Sequence, residues 1–138
     1  MNSDNLVATY LRALSTADAA LAVGLFTEDA VIHSPLYGPS SPAVFYPQLF
    51  SDTSEARLEL LATMQGLDSA GATTISFFFH FDWRLPSGEA APFDVVDVAR
   101  LDHDGLITSL HLVYDTVDVR PAFETATGRR SWRGHANR

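Results

Sequence analysis

The second half of the chain alternates apolar and polar positions with a period of two, the pattern of strands that bury one face. In ISFFFHFDWRL, Ile75, Phe77, Phe79, Phe81 and Trp83 share one face, and Ser76, Phe78, His80, Asp82 and Arg84 share the other. PSGEAAP turns the chain into FDVVDVARLDHDG, where Phe93, Val95, Asp97, Ala99 and Leu101 face one way and Asp94, Val96, Val98 and Arg100 the other. DHDG is a hairpin signal in which Gly105 supplies the positive φ, and LITSLHLVYDTV reads as the last strand. EARLELLATMQGL has helix-forming composition, yet Leu58 and Leu60 alternate with Arg57 and Glu59. We expect a strand over 57–64, because the aromatic strand needs a pairing neighbour and pairing overrides local propensity.

The first half changes period. Ser3 is placed to cap a helix whose apolar stripe is Leu6, Val7, Tyr10, Leu11 and Leu14, and Asp18 to cap a second running through Leu21, Leu25 and Phe26. DAVIHSP reads as a short strand, LYGPSSP as a loop, and Ser41-Pro42 as the opening of a third helical stretch that Pro47 must kink or divide. Helices followed by strands predict an α+β domain, a curved antiparallel sheet wrapped around the helices. The concave apolar face of such a sheet is where small molecules bind.

Composition narrows the partners. At 138 residues, a single domain over 1–118 is expected, followed by an Arg-rich tail over 119–138. The net charge of −8 argues against nucleic acid, which needs clustered cations. All nine cations are arginines, and Arg120, Arg129, Arg130, Arg133 and Arg138 lie in the tail. That segment reads either as a solvated end or as an arm that packs against the acidic body or a second subunit. With no cysteine, disulfides and thiol chemistry are excluded. No apolar run is long enough for a membrane span and no secretory pattern opens the chain, so cytoplasmic placement is the default expectation.

Asp97 is the exception on an otherwise apolar strand face. Burial among Phe93, Val95 and Ala99 would penalise its charged form and raise its pKa, leaving a neutral carboxyl group able to donate a hydrogen bond. The alternative is an aspartate that accepts from Tyr10 or a buried arginine purely for stability. The histidines carry no metal-ligand spacing: His33 is turned outward if Ser34 faces in, and His80 and His111 fall on the outer parity of their strands.

The order of elements, with YLRALSTADAALAVGLFTEDAVIHSP early and FDVVDVARLDHDGLITSLHLVYDTV late, resembles the nuclear transport factor 2-like superfamily, closest to its ketosteroid isomerase and SnoaL-like branches. The resemblance covers most of residues 5–118. It implies a cone-shaped sheet around about three N-terminal helices with a central apolar pocket. It also implies carbonyl polarisation by a first-helix tyrosine, here Tyr10, and a strand aspartic acid, here Asp97, with Tyr46 matching a supporting tyrosine. Ser34 stands in HSP where the isomerases carry a general-base aspartate, and a hydroxyl cannot shuttle protons at carboxylate pKa. Asp115 is a candidate replacement base if the last strand bulges. Epoxide hydrolases of the superfamily place an arginine two residues before the strand aspartate, where this chain has Val95.

Substrate contacts are expected from Phe26, Tyr46, Phe77, Phe79, Phe81, Trp83, Leu112 and Tyr114. The implied ligand is an apolar carbonyl compound of polyketide, terpenoid or steroid-like type, handled by an isomerase, cyclase or dehydratase without cofactor or metal. The implied assembly is a homodimer through the outer sheet face. The rival expectation is a non-catalytic binding or association module that has lost the base.

Overall fold

The computed structural model describes residues 3–134, so Arg138 of the basic tail lies outside the described residues, as does the Ser3 side chain. The elements run α1 (Ser3–Thr16), α2 (Ala19–Val23), β1 (Phe26–Ser34), β2 (Gly38–Ser40), α3 (Pro42–Ser51), β3 (Glu55–Leu67), β4 (Thr73–Arg84), β5 (Phe93–Leu101), β6 (Ile107–Val113) and α4 (Val119–Thr127). The six strands form one sheet in the order β2-β1-β6-β5-β4-β3. Its pairings are antiparallel except for β1 against β6, which is parallel.

The predicted alternation holds where it was clearest. Ile75, Phe77, Phe79, Phe81 and Trp83 are all buried on β4, as are Val95, Asp97 and Ala99 on β5. Register places Phe77 opposite Asp97 and Phe79 opposite Val95, while Leu112 of β6 flanks Asp97 from the other side. His80 and Asp82 lie on the outer face, partly exposed, and His80 Nδ1 meets Asp94 Oδ1 at 2.7 Å. Residues 55–67 are a strand, pairing with β4 from Glu55–Arg84 to Leu67–Thr73. Inter-strand hydrogen bonds along that edge outweigh the helical preference of Glu, Leu and Met.

Several elements depart from expectation. Asp18 does cap α2, accepting from the Leu21 N–H at 3.0 Å, but the helix ends at Val23 and Phe26 opens β1 instead. Part of LYGPSSP is a strand, because Gly38–Ser40 folds back to pair with Ile32–Ser34. Pro47 does not divide α3. The last strand stops at Val113, and residues 119–127 form a helix that buries Val119 and Phe123, one turn apart, against the core. Gly38 is required here: its φ is +78°, and a Cβ would come within 2.7 Å of the Trp132 ring. Among the described residues, no helix is long and apolar enough to cross a membrane.

Candidate functional site

A narrow cleft with a free volume of about 30 Å³ opens between the helices and the inner sheet face. Tyr10 and Leu14 of α1, Phe45 and Leu49 of α3, and Phe79, Phe81 and Trp83 of β4 line it. Val95 and Asp97 of β5, Leu112, and the loop residues Tyr37 and Tyr114 complete its wall, with Ser34 at the end of β1. The aromatic rings interlock: Phe77, Phe79 and Phe81 stack successively, and Phe93 lies 4.2 Å from Tyr114 with their planes 25° apart.

Helical spacing on α1 points Tyr10 at the sheet. Its phenol is 1% exposed, its ring stands edge-on to Phe77 at 5.3 Å, and its oxygen accepts a 2.9 Å hydrogen bond from Tyr46 Oη. Burial, reinforced by Tyr46 and Asp97, drives its pKa well above the ordinary phenol value, so it stays a donor. Asp97 is likewise 1% exposed, and its Oδ1 has no hydrogen-bond partner. Burial pushes its carboxyl group far above the usual range, with the Tyr10 phenol only partly opposing the rise. A desolvated carboxyl group flanked by Phe77, Val95 and Leu112 holds its proton.

The structure therefore brings Tyr10, Asp97 and Ser34 to one cavity, together with Phe79, Phe81, Trp83, Leu112 and Tyr114. Phe26, Tyr46 and Phe77 are buried behind that wall rather than in it. Tyr46 is turned toward Tyr10, and Phe77 is covered by the Tyr10 ring. Ser34 faces in, but its Oγ accepts from the Leu36 and Tyr37 N–H groups at 3.2 and 3.1 Å, closing the turn after β1. Asp115 is not brought to the cleft. It is exposed beyond the end of β6, and its carboxylate caps its own turn at the Val117 N–H, 2.9 Å away. His33 is turned outward as expected, stacking on His111 with ring centres 4.1 Å apart.

Sequence reasoning missed Tyr37, Phe45, Leu49 and Leu14 as lining residues. The helical stripes predicted burial, not which buried residues would border a gap. It also missed the cluster beside the cleft, where Asp52 accepts from Tyr37 Oη at 2.7 Å and pairs with both Arg129 nitrogens at 3.2 and 2.6 Å. Phe123 of α4 stacks on Trp83 in the same region. No described group of three or more His, Cys, Asp or Glu could hold a metal ion.

The profile of the SnoaL-like domain matches residues 7–110, and the chain belongs to that family. No curated protein matches the sequence. Among solved structures, the fold is similar to a Δ5-3-ketosteroid isomerase from Mycobacterium sp., at 21% identity and TM-score 0.63, covering 83% of this chain and 93% of that one. It is also similar to SalBIII, described as an epoxide hydrolase/cyclase-like enzyme in pyran ring formation in polyether salinomycin, at 22% identity and TM-score 0.64, covering 83% and 92%. PrhC from Penicillium brasilianum NBRC 6234 shares the fold at 15% identity and TM-score 0.69, covering 91% of each chain. These likenesses establish an architecture that hosts many chemistries.

Proposed function

We propose that this SnoaL-like domain binds an apolar, carbonyl-bearing small molecule of polyketide, terpenoid or steroid-like type, and polarises the carbonyl with two neutral donors, Tyr10 and Asp97. The observation that carries this reading is the Asp97 carboxyl group, shut in an aromatic cleft with an unpartnered Oδ1. Natural structures rarely leave a buried polar atom unpaired without a use for it. The Tyr10 hydroxyl bonds to the Asp97 carboxyl group, and the two donors, turned together onto one ligand oxygen, would stabilise the negative charge that develops there during enolisation, ring closure or elimination.

The second reading, a binding module without turnover, is favoured by Ser34. Its hydroxyl is committed to two backbone N–H groups, and the lining holds no carboxyl group besides Asp97. Calorimetry with a panel of phenols tests the donor pair. Asp97→Asn keeps size and a donor and should retain most affinity. Asp97→Leu and Tyr10→Phe should each weaken binding by about 1–3 kcal/mol, and the double variant less than additively. Unchanged affinity in a folded Asp97→Leu protein would end the reading. The wild type should show negligible isomerisation of a Δ5-3-ketosteroid, with Ser34→Asp the single change best placed to create some; robust wild-type turnover would assign the base to another residue.

A further inference from the structure

The free volume of the cleft, about 30 Å³, has room for about two water molecules. Pockets that take small organic molecules usually enclose roughly 300 Å³ or more. A ring can therefore reach Tyr10 and Asp97 only when part of the wall moves. Tyr37, Phe93, Leu112 and Tyr114 are the lining residues that are not fully buried, so they form the rim. Phe93 and Leu112 are fixed in β5 and β6, and Tyr114 is stacked on Phe93 just beyond β6. Tyr37 belongs to no helix or strand. It sits in the turn between β1 and β2, its ring edge-on to Phe45 at 5.4 Å and to Phe123 at 5.3 Å. Its hydroxyl donates to Asp52 Oδ2 at 2.7 Å, and Asp52 is in turn held by Arg129. A second hollow of about 290 Å³, open to solvent, is lined by Tyr37 together with Gln48, Phe123, Arg129 and Trp132. Among the described residues, Tyr37 alone lines both spaces.

We propose that Tyr37 is the gate of the cleft, shut in this structure and latched by its hydrogen bond to Asp52. A ligand enters from the hollow beside the C-terminal segment when the ring swings away. With Tyr37 aside, cleft and hollow merge into a space of the size that small-molecule sites have. Asp52 stays in place as the ring moves, because Gln48 and Arg129 continue to hold it. The latch works against binding, since only molecules with the gate open are competent to bind. This rests on the reading of the cleft as a ligand site, and it adds the route in and the residue that restricts it.

Tyr37→Phe keeps the ring and removes the latch. Losing a hydrogen bond to a charged group should raise the open fraction about tenfold. Calorimetry on the full chain should then show 2-naphthol bound about tenfold more tightly by the variant than by the wild type. A hydroxyl that only stabilised the fold would leave that affinity unchanged or weaken it. A second measurement needs no ligand. The chain has no cysteine, so a single introduced thiol reports on access to one point. Val95→Cys lines the cleft, and Ala99→Cys is buried on the same face of β5 outside it. Adding Tyr37→Phe should speed labelling by methyl methanethiosulfonate about tenfold at position 95 and leave position 99 unchanged. Equal labelling at position 95 with and without the Tyr37 hydroxyl, or an equal rise at both positions, would overturn the gate. So would 2-naphthol binding that depends on Tyr10 and Asp97 but not on Tyr37, which leaves the ligand reading of the cleft standing. If labelling responds as expected but neither protein binds 2-naphthol, the gate stands and that reading falls.

Discussion

Asp52 and Asp97 are both aspartates withdrawn from water, 3% and 1% exposed. Their surroundings could hardly differ more. Asp52, at the end of α3, receives Tyr37 Oη, Gln48 Nε2 and both terminal nitrogens of Arg129. The pairing is strong enough to hold the Arg129 guanidinium above its ordinary pKa. Among the described residues, Asp97 has Tyr10 as its hydrogen-bond partner, with Tyr46 and Tyr114 near enough to feel its charge, and its Oδ1 has no hydrogen-bond partner. A buried charge is retained where its partners replace the water it lost; where they do not, the group gives up the charge. Asp52 therefore fastens the C-terminal segment to the body, with Phe123 packed close by on Trp83. Asp97 contributes no comparable fastening, and what it offers is an open hydrogen-bonding position in a cavity.

The largest expected effect is the pH dependence that Asp97 gives the fold. The unfolded chain ionises Asp97 near the ordinary carboxyl value of 3.8, whereas the folded chain keeps the proton to a much higher pH. Below that value both states are protonated and Asp97 contributes nothing to the pH dependence. As pH rises from there toward the raised folded pKa, only the unfolded state loses its proton. Stability should then fall by up to about 1.4 kcal/mol per pH unit. Asp97→Asn carries no such proton, so its stability relative to wild type should grow steadily between about pH 4 and 7 in denaturant melts. A flat difference would mean that Asp97 is charged in the fold, and the reading of it as a neutral acid would fall. Next in size is Asp52→Ala, which strands the Tyr37 hydroxyl and the inner side of Arg129. Because Arg129 is itself about half exposed, with 45% of its side chain accessible, the loss should be about 2–3 kcal/mol rather than the 3–5 of a fully buried pair. That corresponds to roughly 8–12 °C in melting temperature for a chain of this size. A drop under about 2 °C would show that the cluster is ornamental to the fold.

The contrast was half legible in the sequence. Asp97 stood out because β5 alternates cleanly and an acidic residue breaks the apolar face, a local pattern that needs no tertiary knowledge. Asp52 gave no such signal. It follows a helix among polar residues, and its partner Arg129 lies 77 positions away in a stretch that composition presents as a basic tail. The α4 helix was invisible for the same reason. Its own sequence buries only Val119 and Phe123, and it forms by docking on Trp83 and Tyr37. Strand β3 was assigned against its composition, on the requirement for a partner to β4. Phe26, Tyr46 and Phe77 show the limit of the approach. Periodicity says which side chains face inward, but a cavity is a gap in packing, and its edges depend on how distant rings meet.

Ser34 supplies the smallest and sharpest test, since it borders the same cleft as Asp97 yet is partnered like Asp52. Its Oγ accepts from the N–H groups of Leu36, itself 2% exposed, and Tyr37. Ser34→Ala leaves those donors without their acceptor and should cost about 1 kcal/mol, read as a shift of a few degrees in a thermal melt. Ser34→Asp offers carboxyl oxygens to the same donors as an Asx turn, so it should recover part of that loss. It also places a second carboxyl group in the cleft, whose charge the aromatic walls would resist, so the recovery should be greater at about pH 4 than at pH 7. Equal stability of the two variants at both pH values would show that the turn holds without its side-chain acceptor. Ser34 would then be as free toward a ligand as Asp97, and the division of the cleft into one committed and one open polar group would fail.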